Sequence, residues 1–323
     1  MSGLTPNIII FAITLAGLMK SSDIMVDGAS SLAKRLGVSD LVIGLTVIAL
    51  GTSLPELVVS VGSSYKNLGA LAASNVIGSN VANVVLVLGI SALIAPMTTP
   101  KTLRKIDKLY FLSTFVVFAL GLLFFADGTH PQFFGIIYLA IFIGFIHSLF
   151  NSKNHVEIDL DDDEDLHSLE KSVLLTIMGL IFLIISGHYT VESAIKIARH
   201  LNVSEEVIGV TIVAFGTSLP ELVASTIASL KKKADIAIGN IIGSNFMNIA
   251  LVLGMSFSIN PITFTKQMVF DGFVMIGVNI AFIATATFHE NASMLPTIVL
   301  QLQQKQISTR WSNSTTTQLL INV

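Results

Sequence analysis

The chain has 323 residues, a formal net charge of −3, 52% hydrophobic and 12% charged residues, and a mean hydropathy of +0.78. Soluble domains carry about 25% charged residues, so this composition excludes an ordinary soluble enzyme or nucleic-acid binder and indicates a polytopic membrane protein. With no cysteine, disulfide, zinc-thiolate and thiol redox chemistry are excluded, and the compartment cannot be read from thiols. Lys20 is the first basic residue, which does not match the charged start of a cleaved signal peptide, so Ile8 onward is read as mature protein.

In chain order, the hydrophobic stretches predict spans over residues 7–32, 41–60, 71–95, 109–126 and 133–150, each near the roughly 20 residues a bilayer needs. Residues 151–171 then turn polar and acidic, with Asp159–Asp165 reading DLDDDED, and form the expected hinge. Spans resume over 172–187 (continuing amphipathically to 198), 207–225, 236–259 and 268–288. The expected division is a first repeat over 1–150, the hinge, a second repeat over 172–288, and a polar tail over 289–323.

Residues 42–98 align without a gap on 207–263 at a constant offset of 165, with 31 of 57 positions identical. That level makes an internal duplication the strongest organisational signal in the chain. Five spans per copy is an odd number, so the second copy enters the membrane upside down. The expected fold is an all-α membrane protein of two inverted-topology repeats, a construction common in secondary transporters. In the tail, the window where a tenth span should recur reads TIVLQLQQKQISTRWSNST, too polar to cross a bilayer; the tenth helix is expected to be missing. Lys and Arg outside the spans number thirteen on the side of the hinge, two of them in the tail, and four on the side of the N-terminus. The positive-inside rule therefore places the hinge in the cytoplasm and the N-terminus outside.

The chemistry concentrates in GTSLPEL, Gly51–Leu57, which returns letter for letter at Gly216–Leu222. A carboxylate at mid-bilayer costs about 2.5–3.5 kcal/mol on insertion scales, so Glu56 and Glu221 are not there for stability. The bland reading of each as a structural ion pair needs a buried basic partner, and the nearby spans contain none. On a helix Ser53 and Thr52 neighbour Glu56, as Ser218 and Thr217 neighbour Glu221. Each proline leaves the carbonyl four residues back, Gly51 or Gly216, without its helical donor. Asn75, Ser79 and Asn83 step by four down the third span, and Asn240, Ser244 and Asn248 repeat that stripe. Carboxylates, hydroxyls, amide oxygens and carbonyls are hard ligands that suit Na⁺ and Ca²⁺. The competing reading of Asn75, Asn80, Asn240 and Asn245 is interhelical glue.

GTSLPEL with GSNVANV, and GTSLPEL with GSNFMNI, resemble the alpha repeats of the cation/calcium exchanger superfamily, above all its prokaryotic sodium/calcium antiporters. The resemblance implies an antiporter, not an enzyme, that exchanges Na⁺ for Ca²⁺ by alternating access and needs no cofactor beyond the transported ions. It implies ion ligands at Glu56, Ser53, Thr52, Ser79, Asn83, Glu221, Ser218, Thr217, Ser244 and Asn248, with backbone carbonyls from Ala49 and Ala214. Asn at both 83 and 248 favours a potassium-independent exchanger. A multi-pass protein of the cell (inner) membrane follows, with Ca²⁺, Na⁺ and the lipid bilayer as partners, no nucleic acid, and a monomer expected.

Two transport alternatives stand beside this one: a Ca²⁺/H⁺ exchanger of the same superfamily, and a transport-incompetent form lacking the tenth helix. An intramembrane hydrolase finds no HExxH, GxGD or Cys to support it. Among the remaining charges, Asp23 is expected to pair with Lys20, and Asp27 and Glu192 to face water. His188 reads as interfacial, and DLDDDED lacks the glycine and spacing of an EF-hand loop.

Overall fold

The computed structural model describes residues 4–95, 103–125, 128–151, 166–203, 208 and 214–288. The expected tail and most of the hinge lie outside these residues. Helix α1 runs Leu4–Leu36, α2 Asp40–Thr52, α3 Leu54–Tyr65, α4 Gly69–Ile94, α5 Lys105–Phe124 and α6 Phe133–Asn151. The second half gives α7 Leu169–His200, the short α8 Ala214–Gly216, α9 Leu219–Leu230, α10 Ala234–Ile259 and α11 Lys266–Phe288. Two antiparallel strands, β1 Thr129–His130 and β2 Ile262–Thr263, pair Thr129 with Thr263 and His130 with Ile262. They tie the α5–α6 connection to the α10–α11 connection.

Among the described residues, α1, α4, α5, α7, α10 and α11 are each long and apolar enough to cross a membrane. The pair α2–α3, bent by 48° at its break, makes a seventh. The two further expected spans coincide with α6 and with α8–α9. The protein is a multi-pass membrane protein of two inverted-topology repeats, and α2–α3–α4 answers to α8–α9–α10. Both copies even carry a π-helical turn at the same place, Asn83–Leu88 in α4 and Asn248–Leu253 in α10. A third π turn, Gly44–Ile48, lies in α2.

The four repeat helices form the centre, with α10 innermost: 94% of its apolar window is buried. Small residues let it approach α2 backbone to backbone. A Cβ placed on Gly239 would meet the Leu41 carbonyl at 2.7 Å and Gly44 Cα at 3.0 Å, and one on Gly44 would meet the Ile236 carbonyl at 2.7 Å. Without a hydrophobic drive between helices in lipid, such close packing is what holds spans together. Gly239→Leu is accordingly expected to destabilise by about 3 kcal/mol, the upper end for overpacking, because main chain cannot yield as a side chain does. The readout is loss of the monodisperse peak of the tagged protein on size exclusion; an unchanged peak and melting temperature would remove this crossing from the account.

Helices α1 and α7 make the most extensive pairing in the molecule. Gly28 sits against Thr176, and Gly179 against Met25, with main-chain atoms 2.6–2.7 Å from an added Cβ. Outside them the bundle is completed by α5, α6 and α11, with α6 on the second half of α10 and α11 on α4 and α5. His130 is buried among Phe125, Phe134, Phe257 and Phe264. Burial pushes its imidazole down to about 4, so it is neutral at pH 7.

The charges outside the core find local partners. Asp23 pairs with Lys20 at 2.7 Å as the sequence suggests, but also with Lys231 at 2.5 Å. Asp27 is half exposed and meets the same Lys231 at 2.6 Å. Burial works against the Lys231 charge, but its hydrogen bonds to Asp23 and Asp27 outweigh that and raise its pKa. Glu192 is exposed and pairs with Lys196 at 2.7 Å. His188 is exposed, edge-on to Tyr189.

Candidate functional site

Pro55 and Pro220 sit in the first turns of α3 and α9, where a missing N–H costs nothing. In each copy a serine holds the N-cap position of the new helix without a capping bond from its side chain: Ser53 has φ −83° and ψ 5°, Ser218 φ −85° and ψ 5°. The chain therefore breaks immediately before each glutamate, and Glu56 and Glu221 occupy first-turn positions, 0% and 1% exposed. A helix N-terminus favours a negative group, which offsets part of the cost of placing a carboxylate there.

The two breaks meet. Ser53 Oγ donates to Glu221 Oε1 at 3.3 Å, and Ser79 Oγ donates to Glu56 Oε1 at 3.3 Å. Thr52 Oγ1 donates to Asn240 Oδ1 at 3.0 Å and lies 3.4 Å from Ser244 Oγ. The Ala49 carbonyl accepts from the Ser53 N–H at 3.0 Å and stands 3.4 Å from Thr52 Oγ1. Ala214 begins α8, one turn ahead of Ser218. Thr217, half-buried, lies between α8 and α9.

Where α4 crosses α10, four asparagines bond reciprocally. Asn83 Nδ2 donates to Asn245 Oδ1 at 2.9 Å, and Asn248 Nδ2 donates to Asn80 Oδ1 at 2.9 Å. Asn80 Nδ2 donates to the Asn245 carbonyl at 3.2 Å, and Asn245 Nδ2 to the Asn80 carbonyl at 3.3 Å. Exchanging each residue for its mate 165 positions away turns either bond of a pair into the other, so the repeats are related by a pseudo-two-fold axis at this crossing.

Eight buried side-chain polar atoms among the described residues have no hydrogen-bond partner. Six of them belong to residues singled out from sequence: Glu56 Oε2, Asn83 Oδ1, Thr217 Oγ1, Ser218 Oγ, Glu221 Oε2 and Asn248 Oδ1. Buried polar atoms are normally bonded, so a cluster of orphaned oxygens marks where a ligand belongs. Among the described residues neither carboxylate has an ion pair, and no group of three or more His, Cys, Asp or Glu gathers anywhere. Two carboxylates amid neutral oxygens suit a hard cation and do not suit zinc.

The sequence pattern matches the sodium/calcium exchanger protein family over residues 6–150 and 171–302. The chain belongs to the sodium/calcium exchanger family. The exchanger is 33% identical over 304 residues to the sodium/calcium exchanger MaX1 of Methanosarcina acetivorans, covering 83% of this chain and 87% of the relative. It is 35% identical over 264 residues to the inner membrane protein YrbG of Escherichia coli, covering 77% and 80%. Its fold matches the solved sodium–calcium exchanger NCX_Mj, soaked with zero Na⁺ and Ca²⁺, with a TM-score of 0.79 and 31% identity over 95% of this chain and 99% of the other. Family membership makes it a membrane cation exchanger.

The candidate site also borders residues that sequence reasoning passed over. Asn75 Nδ2 donates to Ser60 Oγ at 3.0 Å, and Asn240 Nδ2 to Ser225 Oγ at 3.0 Å; here the glue reading holds, with the two serines unforeseen. Asn279 of α11 accepts from Asn245 Nδ2 at 2.6 Å. A lone amide in the middle of the ninth span, within the run Phe273–Ile283 that is otherwise apolar, was the available signal. The hydroxyls of the two halves are bonded differently: Thr52 is bonded to Asn240 and Ser53 to Glu221, whereas Thr217 Oγ1 and Ser218 Oγ have no partner among the described residues.

Proposed function

We propose that this protein exchanges Na⁺ for Ca²⁺ by alternating access at a mid-membrane site between the GTSLPEL breaks. The observation that carries the reading is the set of six buried, partnerless oxygens, one from each of two carboxylates without a basic neighbour and four from Asn83, Thr217, Ser218 and Asn248. Glu56, Ser53, Thr52, Ser79 and Asn83, with Glu221, Ser218, Thr217, Ser244 and Asn248, supply the side-chain ligands; the Ala49 and Ala214 carbonyls complete the set. Calcium takes six to eight oxygens, and this set is large enough to offer them.

Charge constrains the cycle. With both glutamates ionised the site carries −2, which one Ca²⁺ or two Na⁺ neutralises, and a third Na⁺ makes the loaded form positive. Asn at 83 and 248 leaves no third carboxylate, which favours a potassium-independent cycle. The paired helices α1 and α7 slide as a unit against the bundle to open the site to each side in turn. The protein resides in a cell (inner) membrane with its N-terminus outside and the 151–171 hinge in the cytoplasm, in keeping with the positive charge on the hinge side and with the inner-membrane name of the E. coli relative.

⁴⁵Ca²⁺ uptake into vesicles with imposed gradients tests this. An outward Na⁺ gradient is expected to drive uptake well above background, while a pH gradient without Na⁺ drives none. The reverse result makes the protein a Ca²⁺/H⁺ exchanger.

A further inference from the structure

We infer that Asn279 is a positioning residue for the ion site: acting through Asn245, it fixes which edge of the Asn83 amide faces the cation. The inference rests on the cation-site reading above. Asn279 lies on α11, outside the duplicated segment, and is 0% exposed. Its Nδ2 donates to the Met275 carbonyl one turn back at 2.9 Å. A backbone carbonyl can only accept, so this contact admits the NH₂ edge of Asn279 and turns its Oδ1 toward Asn245. Asn245 must then present its own NH₂ there, at 2.6 Å, and that same NH₂ reaches the Asn80 carbonyl at 3.3 Å.

With both protons of Asn245 committed, its Oδ1 meets Asn83 and accepts from Asn83 Nδ2 at 2.9 Å. The last amide in the row is left with Oδ1 as its free atom, buried and without a protein partner. A cation needs that oxygen. Were Asn245 to rotate by half a turn, Asn83 would rotate with it and point two N–H donors at the ion. The chain Met275 carbonyl, Asn279, Asn245, Asn83 is thus a directional relay, anchored at one end by main chain and ending at the site.

The other half of the protein lacks it. With the offset of 165 carried on past the aligned segment, the position that answers to Asn279 is Thr114 of α5, whose hydroxyl donates to the Phe111 carbonyl of its own helix at 2.7 Å. Asn80, which orients Asn248, is held by the Asn245 carbonyl alone. The two amide ligands are therefore secured unequally, and the Asn83 side has the firmer orientation.

Asn279→Thr copies the mate at 114, a residue that satisfies its hydroxyl on its own helix, and removes the acceptor from Asn245. The measurement is ⁴⁵Ca²⁺ binding and Na⁺-driven ⁴⁵Ca²⁺ uptake with protein taken from the monodisperse size-exclusion peak. Half-saturating Ca²⁺ is expected to rise at least about 10-fold, as for other outer-shell partners of metal ligands, with maximal uptake rate within about 2-fold. In an Asn83→Ala background the same substitution is expected to add nothing, because its route to the ion is gone. An unchanged half-saturation, or an equal shift on both backgrounds, overturns the inference. Asn279→Ser gives the same two readouts from a smaller side chain if the threonine variant yields too little folded protein. Glu56→Gln run in parallel separates the two failures: normal exchange by that variant removes the site itself, whereas a dead Glu56→Gln beside a silent Asn279→Thr removes only the relay.

Discussion

Glu56→Gln and Glu221→Gln are each expected to reduce Ca²⁺ exchange by at least about 30-fold while leaving the protein inserted and at least as stable as the parent. The two parts of this result come from opposite signs of the same charge. For folding, an intramembrane carboxylate costs about 2.5–3.5 kcal/mol, and neither glutamate recovers that from a basic partner; its protein neighbours are the hydroxyls of Ser79 and Ser53. Replacing it by a neutral isostere removes the cost. For the ion, the site drops from −2 to −1 and can no longer neutralise Ca²⁺. Deleting one member of a buried charge pair costs about 2–5 kcal/mol, and each 1.4 kcal/mol is tenfold in affinity, which gives the stated loss. Residues kept for structure show the reverse, with stability falling first and flux following expression level. Flux per inserted molecule, set beside a melting curve, distinguishes the two. Normal exchange by either glutamine variant would detach the GTSLPEL glutamates from transport.

The features that follow from composition and repetition were legible in the sequence. Apolar runs gave the spans, and an odd number of spans per copy gave the inversion. The carboxylate in GTSLPEL marked the site because burial there has no bland account. The proline marked the break, which appears at Ser53 as a bend of 48° and at Ser218 as the same non-helical backbone conformation. Features that depend on a distant partner were not legible. Asp27 was expected to face water and is half exposed, but its ion pair with Lys231 across 204 positions of sequence was not foreseen, and only the packing of α1 against α9 brings the two together. The π turns at Asn83 and Asn248 leave no trace in the hydrophobic pattern, since NVVLVL and NIALVL suit either winding. Asn279 escaped for a related reason: at the offset of 165 it falls opposite a threonine, so the comparison of repeats was blind to it. Duplication is a sensitive guide to what both halves share and no guide to what one half has added.

A disulfide or short dithiol bridge between Ser22→Cys on α1 and Val223→Cys on α9 is expected to lower Na⁺-driven Ca²⁺ flux to background, and reductant to restore it. Ser22 Oγ lies 3.4 Å from the Val223 carbonyl, so the two positions adjoin across the boundary between the α1–α7 pair and the site-bearing helices. The parent chain has no cysteine, so any bridge formed is the introduced one. A bridge placed inside the α1–α7 pair should behave differently. Thr190 Oγ1 donates to Thr14 Oγ1 at 3.0 Å, and if the pair moves as one body, cysteines at these two positions can be joined without loss of flux. The contrast follows from where the close packing lies. Gly28, Gly179 and their partners lock α1 to α7 at main-chain distance, whereas the boundary with α9 is crossed by Ser22 and by the ion pairs of Lys231 with Asp23 and Asp27. Ion pairs can break and re-form one helical turn, about 5.4 Å, along, and interlocked glycines cannot. Full flux with the α1–α9 bridge in place would exclude sliding at this boundary, and loss of flux from the α1–α7 bridge would show that the two helices move separately.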